Sequence, residues 1–171
     1  ITSDDTLMCT CPGDVIGGAR LLAKVLGAEK SIIAIEDNKK DAIATMKQAV
    51  AGIAGLSVVS LQAKYPQGSE KQLIYATTGR EVPSKGLPID VGVVVLNAGT
   101  AAAIADAVLR GKPLIQRVTT VTGCVKEPAD LLARIGTPVS ELVEACGGYT
   151  QAPYRVVMGG CMTGLCTPND A

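Results

Sequence analysis

"SIIAIEDNKKDAIATMKQAVAGIAGLSVVSLQA", residues 31–63, decides the fold. Residues 31–37 form an apolar run of strand length, and Asn38 stands where a helix cap belongs. Ile43, Met46, Val50 and Ile53 then recur at helical spacing and close on Gly55, after which SVVSLQA (57–63) reads as a second strand. A right-handed β-α-β crossover makes the two strands parallel neighbours. The composition suits that arrangement: hydrophobic residues make up 47%, yet aromatics are only 2%, all tyrosine. The core must therefore be aliphatic, as buried parallel strands faced by helices require.

Working outward, CPGDVIGGARLLAKVL (11–26) predicts an amphipathic helix with Pro12 in its first turn, Val15, Ala19, Leu22 and Leu26 on one face, and Gly27 past its end. VGVVVLN (91–97) reads as a third and most apolar strand. GTAAAIADAVLRG follows as an Ala-rich helix capped by Thr100 and ended by Gly111. Beyond Pro113 the texture changes to the alternating, β-branched LIQRVTTVTG, which predicts antiparallel pairing. We place a domain boundary near residue 115. The remainder reads as strand, strand, a short helix from Pro138 to Cys146 and a further strand, a small β-grasp-like pattern.

In open α/β sheets ligands bind beyond the carboxyl ends of the strands. Three segments qualify. Glu36, Asp37 and Asn38 follow the first strand, where an acid can take a ribose hydroxyl or simply cap a helix. Tyr65 to Glu70 follow the second, and S-E-K-Q (69–72) has the form of a capping box with helix amides exposed to an anionic or electron-rich ligand. Asn97 to Thr100 follow the third: Asn97 can both donate and accept toward a ring edge, and Gly99 admits close approach. No GxGxxG or Walker loop is present.

Sixteen basic residues balance 16 acidic ones, so the electrostatic footprint of nucleic-acid binding is missing. No apolar stretch reaches the roughly 20 residues of a membrane helix, so any membrane link is expected through a partner. The chain opens on Ile1 without a signal-peptide pattern and is expected to be a piece of a longer protein. With no histidine, a Ser-His-Asp triad, an HExxH site and a Cys-His dyad are excluded within it. The six cysteines read as cytosolic thiols, with a reachable redox thiol at Cys161 as the sharper alternative.

"ITSDDTLM", "IIAIEDNK", "KYPQGSEKQLIYATTGREVPSKGLP", "DVGVVVLNAGTAAAI", "KPLIQRVTTVTG" and "IGTPVSELVEACGG" together closely resemble the RnfC family of electron-transport subunits, relatives of the NADH- and FMN-binding flavoprotein subunit of respiratory complex I. The resemblance implies an α/β, Rossmann-like FMN/NADH-binding domain over residues 1–115, its N-terminal part missing, then an SLBB-type β-grasp domain over 116–171. It implies that Tyr65, Gly68 and Glu70 line a flavin and nicotinamide pocket, with Glu70 the catalytic candidate, while Ser69 replaces the first acid of the relatives' pair. Asn97 and Thr100 carry over from an Asn-Asn-x-Glu-Thr motif whose first Asn is Leu96 here. Glu36 is the weakest cofactor candidate. The family's glycine-rich flavin loop is expected upstream, and its [4Fe-4S] cluster motifs downstream. NAD(H) is the expected substrate, other subunits of an Rnf-type complex or a partner reductase the expected partners, and the cytoplasm or the cytoplasmic face of a membrane the expected location. A docking module without flavin is the competing expectation. The tail, "MGGCMTGLC", departs from the usual RnfC pattern and resembles the proline-reductase-associated PrdC type.

Overall fold

The computed structural model describes residues 2–160 and 162–167. It divides into two compact units, Ser3–Leu114 and the part from Ile115 onward.

The first unit runs α1 (Thr2–Thr10), α2 (Pro12–Leu26), β1 (Ser31–Glu36), α3 (Lys40–Ala49), β2 (Leu56–Leu61), α4 (Glu70–Thr78), a 3-10 turn (Pro88–Val91) and α5 (Ala98–Arg110). β1 and β2 pair in parallel, from Ser31 opposite Leu56 to Glu36 opposite Leu61, as the β-α-β reading requires. The core joins Met8, Val15, Ile16, Ile35, Ala42, Met46, Val50 and Ala102, drawn from four helices and the sheet. Met46 is fully buried, and burial of a side chain of that size contributes roughly 2–3 kcal/mol. Ile74 of α4 is 1% exposed and lies outside that cluster, where α4 meets β1. α2 and α5 pack closely because Gly18 has no side chain: a Cβ there would stand 1.8 Å from the Ala101 carbonyl oxygen.

Several local expectations shift. α2 has the predicted bounds, but Leu26 is half exposed and the buried positions are Val15, Ile16 and Gly18. α3 ends at Ala49, short of Ile53, and its cap is Lys39, not Asn38. The Lys39 amide closes a turn onto the Glu36 carbonyl at 3.0 Å, which moves the helix start one residue along. Residues 93–97 are not a ladder strand. Half-buried Val93 and Val95 alternate with exposed Val94 and Leu96, as in a strand, but β1 and β2 pair with each other and no described residue offers 93–97 a ladder.

The second unit holds β3 (Gln116–Val121), β4 (Ala129–Arg134), α6 (Val139–Ala145), β5 (Val156–Met158) and β6 (Leu165–Thr167). β3 pairs antiparallel with β4, and β5 with β6. Pro138 and Cys146 flank α6 as its caps. Val125, Val143 and the fully buried Cys146 form its small core. Cys146 is thus a packing thiol. Cys161, the candidate redox thiol and the residue behind the PrdC resemblance, lies outside the described residues.

Candidate functional site

The carboxyl ends of β1 and β2 are fastened by Asp37, whose Oδ1 accepts from the Ala63 amide at 3.0 Å while its own amide donates to the Leu61 carbonyl. This acid is a structural staple. Glu36, the last residue of β1, is half-buried beside it.

Residues 64–69 lead from β2 into α4 through two overlapping turns. The Gln67 amide donates to the Lys64 carbonyl and the Ser69 amide to the Pro66 carbonyl, each at 2.7 Å. The turns direct one side chain inward: Tyr65 is 73% exposed, Gln67 only 8%, and Gly68 is exposed again. Ser69 is the N-cap of α4 in extended conformation, as S-E-K-Q predicted, but its hydroxyl makes no capping bond. The first-turn amides of α4, which have no intrahelical partner, are left without a side-chain cap, and Glu70 sits exposed among them. α4 is held near both of its ends by the segment that follows. Lys71 Nζ donates to the Pro83 carbonyl at 3.0 Å, Arg80 Nη1 to the Val91 carbonyl at 2.7 Å, and Asp90 caps the turn at Leu87. The Gly-Arg-Glu-Val-Pro stretch is therefore a brace for α4.

The start of α5 is arranged in the opposite way. Asn97, not Thr100, is its N-cap: Oδ1 accepts from the Gly99 amide at 2.8 Å, and the Asn97 carbonyl takes the amides of Thr100 and Ala101. Nδ2 of Asn97 donates to Asp4 Oδ2 at 2.8 Å. The neighbouring Asp5 pairs with Lys39 Nζ at 3.2 Å, so the first turn of α1 is pinned across the starts of both α3 and α5. Thr100 is half-buried in the first turn. On the same helix as those two acids, burial pushes the Cys9 thiol up, and Asp5 and Asp41 push it further against the opposing effect of Lys39.

The structure thus brings Asn97 and Thr100 together at one helix start, and Tyr65, Gly68 and Glu70 together at another. Asp4, Asp5 and Gln67 were not singled out by sequence. An acidic pair in the first turn of a helix is an ordinary dipole pairing, and a glutamine between proline and glycine reads as a surface loop. Two cavities lie elsewhere, at the amino ends of the strands, both bordered by Gly55 and Leu56.

A parallel strand pair with helix starts at its carboxyl edge, followed by a small antiparallel β unit, defines an α/β cofactor-binding domain carried with a β-grasp-type domain. Residues 1–106 match the family model of the Nuo51 FMN-binding domain, and residues 118–165 that of the SLBB domain. The chain belongs to the Nuo51 FMN-binding family and carries an SLBB domain, as its RnfC-type motifs led us to expect. It is 49% identical over 170 residues to the C subunit of the proton-translocating ferredoxin:NAD(+) oxidoreductase complex of Clostridium ljungdahlii, covering 99% of this chain and 37% of that one. The C subunit of the Na(+)-translocating ferredoxin:NAD(+) oxidoreductase complex of Acetobacterium woodii is 47% identical over 166 residues, 96% of this chain and 38% of that one. Its counterpart in the ion-translocating oxidoreductase complex of Erwinia tasmaniensis is 44% identical over 169 residues, 98% and 21% respectively. The chain therefore spans about two fifths or less of the length of these relatives. Among the described residues no helix is long and apolar enough to cross a membrane.

Proposed function

We propose that this chain is the flavin-holding part of an iron-sulfur flavoprotein that moves electrons between NAD(H) or ferredoxin and an acceptor reductase or membrane complex. The observation that carries the reading is the head of α4. A helix start without a side-chain cap, beside an exposed tyrosine and reached from a parallel strand through two turns, is suited to a phosphate-bearing or electron-rich planar ligand. The residues present fit FMN there: the amides of residues 70–72 and the Ser69 hydroxyl are donors for its polar groups, and Tyr65 and Gly68 border the approach. When bound, FMN supplies a ring that accepts a hydride and passes electrons on singly. The protein's share is to orient that ring and set its surroundings. Glu70 is the candidate for the nicotinamide side of the site. Asn97 and Thr100 support it by fixing the start of α5, and Glu36 borders it at the end of β1.

The family match and the names of the relatives support the wider reading. In it, residues 1–115 form the flavin domain, residues 116–171 the SLBB domain, and [4Fe-4S] clusters belong to further parts of the full-length protein. Its partners are the other subunits of an Rnf-type complex or a PrdC-type partner reductase, and its place is the cytoplasmic side of the membrane. A second reading, a docking module without flavin, is favoured by one observation: Asn97 spends its side chain on Asp4 and on its own helix. Titrating FMN into the full-length protein and following flavin fluorescence separates the two. Saturable one-to-one quenching supports the flavin reading, and its absence leaves the docking module.

A further inference from the structure

We propose that Gln67 is a specificity-determining residue that reads the amide or imide edge of a planar ring ligand at the head of α4; the inference rests on the flavoprotein reading above. Gln67 is the one buried polar residue in the described core, at 8% exposure. Its backbone is locked by the turn onto Lys64, yet among the described residues no hydrogen bond engages its side-chain amide. A primary amide sealed in this state costs free energy with nothing to offset it. It is not sealed: no side-chain nitrogen or oxygen of the described residues is both closed off from solvent and unbonded. The amide of Gln67 therefore meets solvent while the rest of the side chain is packed. It does so two residues before the uncapped N-cap Ser69. A packed side chain that leaves its amide unpartnered, on the turn leading into an uncapped helix start, serves a ligand better than it serves the fold.

The chemistry of the pair narrows the ligand. The free first-turn amides of α4 are donors that serve an acceptor such as a phosphate or carbonyl oxygen, with the exposed Glu70 carboxylate beside them. Gln67 adds an acceptor beside two donors in one plane. Its complement is a group with an N–H and a C=O side by side. A flavin presents that pattern at the imide edge of its ring, and a nicotinamide presents it in its carboxamide. An acceptor-only ligand such as inorganic phosphate would leave the Gln67 oxygen unused.

The test uses the full-length protein and two pairs of probes, FMN against N3-methyl-FMN and NADH against the reduced 3-acetylpyridine analogue, in which a methyl ketone replaces the carboxamide. The wild type is expected to prefer the parent over the blocked analogue by about tenfold in one pair, the ratio of one net hydrogen bond. That pair names the ring that Gln67 reads. Gln67→Met, which keeps the packing volume, is expected to erase the preference by weakening the parent and leaving the analogue unchanged. Gln67→Leu, a second apolar side chain of similar size without donor or acceptor, is expected to erase the preference as well; it decides the matter if the Met variant melts early. Preference retained by both variants would overturn the role of Gln67 while leaving the flavin reading intact. Failure of the wild type to bind either FMN or NADH would overturn the flavin reading, and this inference with it.

Discussion

The starts of α4 and α5 each come after an extended apolar segment, directly at α5 and through two turns at α4, and end up in opposite states. At α5, Asn97 bonds the Gly99 amide, its carbonyl collects the amides of Thr100 and Ala101, and Asp4 holds its remaining donor. At α4, Ser69 leaves the first turn uncapped and the side-chain amide of Gln67, two residues earlier, has no partner among the described residues. The difference teaches that position after a strand nominates a ligand site but does not open it. What decides is whether the side chains nearby consume the amides. Here α1, through Asp4 and Asp5, closes one start and leaves the other free.

The harshest way to break the sealed start is through its packing. Gly18→Ala drives a methyl group into the Ala101 carbonyl in the first turns of α5, with backbone on the receiving side and no flexible group to yield. Overpacking of that kind costs about 3 kcal/mol. Urea unfolding should show a large fall in midpoint, and an unchanged midpoint would mean that α2 and α5 do not pack in this way. Next in size, Asn97→Ala removes the cap and leaves Asp4 without its donor, an expected loss of about 1–2 kcal/mol. Ser69→Ala is the matched change at the open start. Because that hydroxyl caps nothing, its loss is expected to stay within about 0.5 kcal/mol. Equal costs at the two serine and asparagine positions would abolish the contrast.

The smallest effect concerns the thiol on the sealing helix. Burial first, and then Asp5 and Asp41, raise the Cys9 thiol above its ordinary range, so the folded state holds that proton more tightly than the unfolded chain does. The stabilisation is fully present below the unfolded thiol's range and is lost as pH rises through the raised folded value. Cys9 should accordingly be alkylated more slowly than exposed Cys11 under mildly alkaline conditions, as read by mass spectrometry of the labelled peptides. Equal rates would show that Cys9 does not pack against the core of the first unit.

Much of this fold was legible in the sequence because periodicity and glycine stops are local. The β1-α3-β2 order, the bounds of α2 from Pro12 to Leu26 and the antiparallel pairing of β3 with β4 all follow from such signals. The failures were long-range. VGVVVLN carries every local mark of a strand, but a strand exists only with a neighbour, and the pattern cannot supply one. The capping box S-E-K-Q marked the correct helix start, yet the bond it implies is absent. Thr100 was given the cap that Asn97 makes, and Asp4, 93 residues away in sequence, is the partner that settles the matter. Gln67 could not have been found, because its burial is a product of two turns rather than of residue type.

The contrast between the two helix starts is best tested by hydrogen exchange on the full-length protein with and without saturating FMN. New protection is expected at the amides of residues 70–72, with residues 99–101 already protected and unchanged. Protection gained at 99–101 with none at 70–72 would contradict it and return the ligand to the start of α5.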